Sequence, residues 1–119
     1  MEGSLAPLRA TPVEIIEAWN ELGMSEADLV RALGIDSRTL RRWRSGESYP
    51  QHDARAGLAS LDGLRRRLLE TFDTPDAARI WLHASNRYLG GLTPADSLRV
   101  QRFERFEAAL EALDSGIFV

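Results

Sequence analysis

Ser25-Glu26-Ala27-Asp28-Leu29-Val30-Arg31-Ala32-Leu33-Gly34-Ile35-Asp36-Ser37-Arg38-Thr39-Leu40-Arg41-Arg42-Trp43-Arg44-Ser45-Gly46 is the stretch on which the reading of this chain turns. Ser25 with Asp28 three residues on is a helix-start pair. Leu29, Val30 and Leu33 fall on one helical face, and Gly34 supplies a left-handed stop. Asp36 or Ser37 caps the next helix, which runs to about Ser45 and ends at Gly46. Helix, short turn and helix is the helix-turn-helix layout, whose second helix lies in the major groove of DNA.

The charge of that second helix points the same way. From Leu29 to Gly46 stand Arg31, Arg38, Arg41, Arg42 and Arg44 against Asp36 alone, five minus one, in a chain of net charge −3. Leu40 and Trp43 are three apart and should face the core, which leaves Arg38, Arg41, Arg42 and Arg44 on the other sides. A guanidinium can bond a guanine edge or a phosphate with two hydrogen bonds. Ser37 and Thr39, at the helix start, are placed for phosphate or base. Charge runs are usually solvated faces. Four arginines and no acid from Arg38 to Arg44, directly after a helix-turn signal, favour DNA.

Outward from this stretch the chain stays helical. Met1 to Ala10 has no period and reads as a flexible arm. Thr11-Pro12-Val13-Glu14 opens a helix carrying Ile15, Ile16, Trp19 and Leu22, completing a helix-turn-helix domain over 11–53. Ala54, Leu58, Leu61, Leu64, Leu68 and Phe72 then recur by threes and fours, predicting a long connecting helix over 54–73, frayed or bent near Gly57 or Gly63. Residues 74–119 form a small helical domain with a C-terminal tail. Thr74-Pro75 and Thr93-Pro94 open two of its helices, and Phe103, Phe106, Leu110 and Leu113 mark the last, stopped by Gly116. No segment alternates with the two-residue period of a strand. The fold class is all-α.

Composition excludes much. The 119 residues are 44% hydrophobic, enough for a core. There is no cysteine, and His52 and His83 stand apart without a carboxylate cluster, so neither a metal nor a catalytic triad is expected. Gly90-Gly91 is a turn and not a phosphate loop, because no strand precedes it and the chain has no lysine. No cofactor and no enzymatic activity are expected. No apolar run nears the roughly 20 residues of a membrane span and no signal peptide opens the chain, so a cytoplasmic protein is the expectation. Trp19 and Trp81 read as core, His83 as structural or interfacial, and Arg65-Arg66-Arg67 as a solvated face.

Leu29-Val30-Arg31-Ala32-Leu33-Gly34-Ile35, Arg38-Thr39-Leu40-Arg41-Arg42-Trp43 and then Ser45-Gly46 and Pro50 resemble Xre-type helix-turn-helix regulators. In the second half, Trp81-Leu82, Asn86, Leu89-Gly90-Gly91, Thr93-Pro94, Leu98 and the closing Gly116-Ile117-Phe118-Val119 resemble the toxin-binding domain of Xre/MbcA/ParS antitoxins. The combination is more specific than either half. It implies a RES-domain toxin that degrades NAD as partner, operator DNA as a second partner, and repression of the pair's own operon. It also implies DNA contacts at Ser37, Arg38, Thr39, Arg41, Arg42 and Arg44. Toxin contacts are implied at Trp81, Asn86, Leu89, Gly116, Ile117, Phe118 and Val119, and the assembly is expected to be a homodimer or a higher hetero-oligomer with toxin.

Two positions depart from the family pattern. Gln101 stands where a glycine is common, which leads one to expect a more helical connection there. Phe106 replaces a smaller residue and should alter local packing. The tail by itself fits either of two fates, folding back on its own core or entering a partner; the resemblance points to the toxin's NAD cleft. Residues 54–119 are expected to bind toxin without the helix-turn-helix. The competing reading is a free-standing dimeric transcription regulator without a toxin, which an isolated gene would favour.

Overall fold

The computed structural model describes residues 10–116, and among them are seven α-helices, one 3₁₀ turn and no strand. The helices are α1 (Pro12–Glu21), α2 (Glu26–Leu33), α3 (Ser37–Ser45), α4 (His52–Thr71), α5 (Pro75–Leu82), α6 (Pro94–Arg99) and α7 (Phe103–Asp114), with the 3₁₀ turn at Arg87–Leu89. The expected arm lies almost wholly outside the described residues.

The starts are set by short polar side chains. Thr11 and Glu14, Ser25 and Asp28, and Thr93 and Asp96 each form a reciprocal capping box, so two otherwise orphan backbone N–H groups are satisfied at each start. At α3 the choice between Asp36 and Ser37 falls to Asp36, whose Oδ1 accepts from the Thr39 N–H at 2.7 Å. In α2 the second buried residue is Ala32, while Val30 and Leu33 are only half-buried against the core.

The long helix differs from expectation. It begins at His52, ends at Thr71 and runs unbroken through Gly57 and Gly63. Gly57 serves packing: a Cβ there would stand 3.2 Å from Leu33 Cδ2, so the missing side chain lets α2 close on α4. Gln101 also overturns its expectation. It does not extend a helix but holds φ +60, the left-handed conformation a glycine would take, and its amide donates to the Arg31 carbonyl at 2.8 Å. The side-chain bond holds a shape that the residue disfavours.

The arginine triplet is engaged as well. Arg65 and Arg66 approach buried Asp62 at 2.6 and 3.5 Å, and Arg67 reaches Glu107 on α7 at 3.1 Å. It ties α4 to its own turn and to α7.

The two halves share one core. Trp19 of α1 is fully buried, meets Phe106 of α7 edge-on at 6.2 Å and donates its indole N–H to the Leu61 carbonyl of α4 at 3.1 Å. Phe106 then meets Trp81 at 5.5 Å, and Trp81 meets Phe72 at 5.8 Å. The extra ring volume of Phe106 fills the junction of α1, α5 and α7. Because this aromatic chain crosses from the first half into the second, residues 54–119 lack part of their own core. That argues against the expectation that they act alone.

Candidate interaction surfaces

On α3, Leu40 and Trp43 are 0% and 5% exposed, and they turn Arg38, Arg41, Arg42 and Arg44 outward. Arg44 approaches Glu26 at 3.8 Å; among the described residues no carboxylate lies within 4.0 Å of Arg38, Arg41 or Arg42. Ser37 and Thr39 are half-buried at the helix start. The Thr39 N–H and hydroxyl hold the Asp36 carboxyl below its usual range, with Arg38 and Arg41 adding to it, so the one acid of this face is spent on capping. Chemically the helix offers guanidinium donors to an anion.

Beside α3 lies a groove of about 290 Å³ lined by Thr39, Arg42, Trp43, Tyr49 and Gln51. Tyr49 is 55% exposed, and the Arg55 guanidinium sits 5.6 Å from its ring centroid. The sequence reading missed both residues. Arg55 stands in the first turn of α4, only six positions after Tyr49, outside the helix-turn-helix stretch on which the arginine reading centres.

The second surface is built by α5, the 3₁₀ turn and α7. Half-buried Trp81 lines a cavity of about 190 Å³ with Ser85, Asn86, Tyr88 and Leu113. Asn86 organises the loop beneath it: its side chain accepts from the Tyr88 N–H at 2.9 Å, its own N–H donates to the Leu92 carbonyl at 2.9 Å, and its carbonyl accepts from Gly91 at 2.9 Å. Gly90 and Gly91 take φ +69 and +95, which close that loop. Tyr88 also lines a shallow pocket reached by Ser115, so the chain leaves α7 beside Trp81 and Asn86. Gly116 has φ +74; Ile117, Phe118 and Val119 lie outside the described residues. Leu89 does not join this face. It is 4% exposed and lines a separate groove with Leu92 and Val100.

Over residues 67–116 the chain matches the model of the antitoxin Xre/MbcA/ParS C-terminal toxin-binding domain. It is 34% identical over 106 residues to the probable mycobacterial cidal antitoxin Rv3188 of Mycobacterium tuberculosis, covering 89% of this chain and 90% of that one. The chain belongs to the Xre/MbcA/ParS antitoxin family. Mycobacterial cidal antitoxin MbcA of Mycobacterium bovis is 28% identical over 102 residues, 86% of this chain and 89% of its own. A chain of the crystal structure of the M. tuberculosis MbcT-MbcA toxin-antitoxin complex superposes with a TM-score of 0.67 at 26% identity, covering 94% of this chain and 100% of that one.

In this Xre/MbcA/ParS member the family's matched segment holds Trp81, Asn86, Leu89 and Gly116, while α3 lies before it. The joint between the two parts is polar and specific. Arg99 of α6 donates to Asp28 of α2 at 2.7 and 3.4 Å and to Asp96 at 2.7 Å. Burial works against ionisation of Asp28, but the bonds from Arg99 and Ser25 outweigh it and hold the carboxyl below its usual range. His83 completes the joint, its Nε2 lying 2.9 Å from the Leu22 carbonyl at the end of α1. Arg99 is an ordinary helix-end arginine in the sequence, with Asp96 within its own helix; only the fold brings it to Asp28. Among the described residues no group of acids and histidines could hold a metal ion, and no helix is long and apolar enough to cross a membrane.

Proposed function

We propose that this antitoxin neutralises a RES-domain, NAD-degrading toxin by placing its C-terminal tail in the toxin's active-site cleft, and that α3 binds the operator of the pair's own operon. The observation that carries the first part is the likeness, across 94% of the chain, to a chain of a toxin–antitoxin complex. Trp81, Asn86 and Leu113 form one face beside the point where the chain leaves α7, which suits a body contact that delivers the tail. Ile117 and Phe118 supply apolar surface for a cleft, and burying such side chains is worth about 1.5–3 kcal/mol each. The antitoxin blocks; it does no chemistry itself. The DNA part rests on the outward arginines of α3, of which Arg38, Arg41 and Arg42 have no carboxylate within 4.0 Å among the described residues. Assembly as a homodimer or with toxin in a larger complex, in the cytoplasm, belongs to the same reading.

The test is NAD consumption by the purified toxin–antitoxin complex. Deleting residues 117–119, or changing Phe118→Asp, should leave a complex visible by size-exclusion chromatography while NAD degradation returns. Full inhibition by the truncated antitoxin at saturating concentration would sink the occlusion mechanism.

A further inference from the structure

The groove that Leu89 lines is separate from the Trp81 face. It lies between the 3₁₀ turn, α6 and the start of α7, holds about 310 Å³, and has Leu89, Leu92 and Val100 on its apolar side and Arg31, Arg102 and Arg105 around it. Leu92 and Val100 are 57% and 65% exposed, so folding leaves this apolar surface in water. Arg99 and Asp96, also at the groove, satisfy each other. Among the described residues, Arg31 and Arg105 have no carboxylate within 4.0 Å, and Arg102 meets Glu104 at 3.7 Å with both side chains more than 60% exposed. Such a groove suits apolar side chains that follow carboxylates.

The chain carries that chemistry itself. Glu111 and Asp114, both exposed, precede the consecutive apolar residues Ile117, Phe118 and Val119; Asp114 meets Arg67 at 4.0 Å and accepts from the Thr71 hydroxyl at 3.4 Å. Arg102 and Arg105 stand at the start of α7 and Glu111 and Asp114 at its end, about 18 Å of rigid helix, and among the described residues no ion pair joins the two sets. For these charges to face one another takes a second copy.

We propose that the groove of Leu89, Leu92 and Val100 takes Ile117–Val119 of a second copy of this chain, with that copy's Glu111 and Asp114 facing Arg102 and Arg105. Free antitoxin then keeps its apolar tail covered, and a toxin competes with the second copy for the same residues. The competition rests on the tail-occlusion reading above; the self-association does not.

The experiment measures the mass of the full chain by light scattering across a concentration series. The expected result is a mass that rises above the 13.3 kDa protomer with concentration and returns to it on deletion of residues 117–119 or on Val100→Glu. Val100 is on the surface, and circular dichroism confirms that the variant is folded. A labelled peptide of residues 110–119 should bind the tail-deleted protein and bind the Arg102→Glu, Arg105→Glu double variant about tenfold or more weakly. A protomer that stays at 13.3 kDa with no peptide binding overturns the proposal, as does self-association undiminished in Val100→Glu. Val100→Glu should still inhibit the toxin. Should tail deletion abolish self-association yet leave inhibition complete, the occlusion reading fails and this one stands.

Discussion

Arg99 of α6 reaches across 71 positions of sequence to hold both carboxylate oxygens of Asp28, the residue that also caps α2. The side chains are 24% and 16% exposed, so the pair is largely shielded from water and joins the α1–α3 half to the half that holds the family's matched segment. Replacing Arg99 by Met should lower the unfolding free energy by about 1.5–3 kcal/mol, the range for hydrogen bonds to charged groups. Urea denaturation measures it, and a double-mutant cycle with Asp28→Asn should show non-additivity. Strict additivity would mean that the two residues do not act together.

The same joint sets an acid limit. The Thr93 N–H first, and then the Thr93 hydroxyl and Arg99, hold Asp96 below the usual carboxyl value of 3.8 despite some burial, and Asp28 is lowered as described. A lowered folded value means stability that is present above 3.8 and disappears as pH falls through the folded values. Melting temperature should therefore be nearly independent of these groups from neutral pH down to about 4 and drop below it. Arg99→Met should blunt the drop. An unchanged acid profile in that variant would show that other carboxylates dominate.

Gln101 holds a left-handed backbone with a single amide bond to the Arg31 carbonyl. Gln101→Val keeps the strain, adds a β-branched side chain and removes the bond. It should cost about 1–3 kcal/mol. In Gln101→Gly the missing bond and the relieved strain oppose one another, and the change should stay within about 1 kcal/mol. Thermal melts of the two variants distinguish them, and equal losses would mean that the backbone angle is not the cause.

For α3, changing Arg38 and Arg42 to Ala should weaken operator binding by about 1–3 kcal/mol for each arginine that reads a base edge, with toxin inhibition unchanged. Gel shifts at moderate salt are the measurement. Equal binding by wild type and double variant would remove α3 from the DNA interface.

Residues 54–119 alone should give no cooperative melt, because α1 supplies Trp19, Ile15 and Ile16 to the shared core. Trp19→Ala in the full chain should cost about 3–5 kcal/mol. A sharp unfolding transition in the isolated half would show that it completes its core without α1.

The local features are legible in the sequence because their physics is local. Thr11, Ser25 and Thr93 cap within three residues, Gly34 and Gly46 stop helices where a left-handed turn is needed, and the spacing of Leu40 and Trp43 alone turns the α3 arginines outward. The carboxy-terminal motif is legible as a resemblance, with Asn86 and the glycine pair recognisable from residue type and spacing. What only the tertiary structure decides is what distant residues do to one another. Gln101 takes a glycine's conformation because the Arg31 carbonyl lies opposite, and Gly57 serves packing because Leu33 of α2 lies beside it. The arginine triplet is paired while still partly exposed because Asp62 lies within a turn of it and α7 brings Glu107 alongside, and Leu89 parts from Trp81 because the loop set by Asn86 turns it to the other groove. Capping and periodicity act over three or four residues. Ion pairs, ring contacts and grooves depend on which helices meet, and no short stretch of sequence carries that.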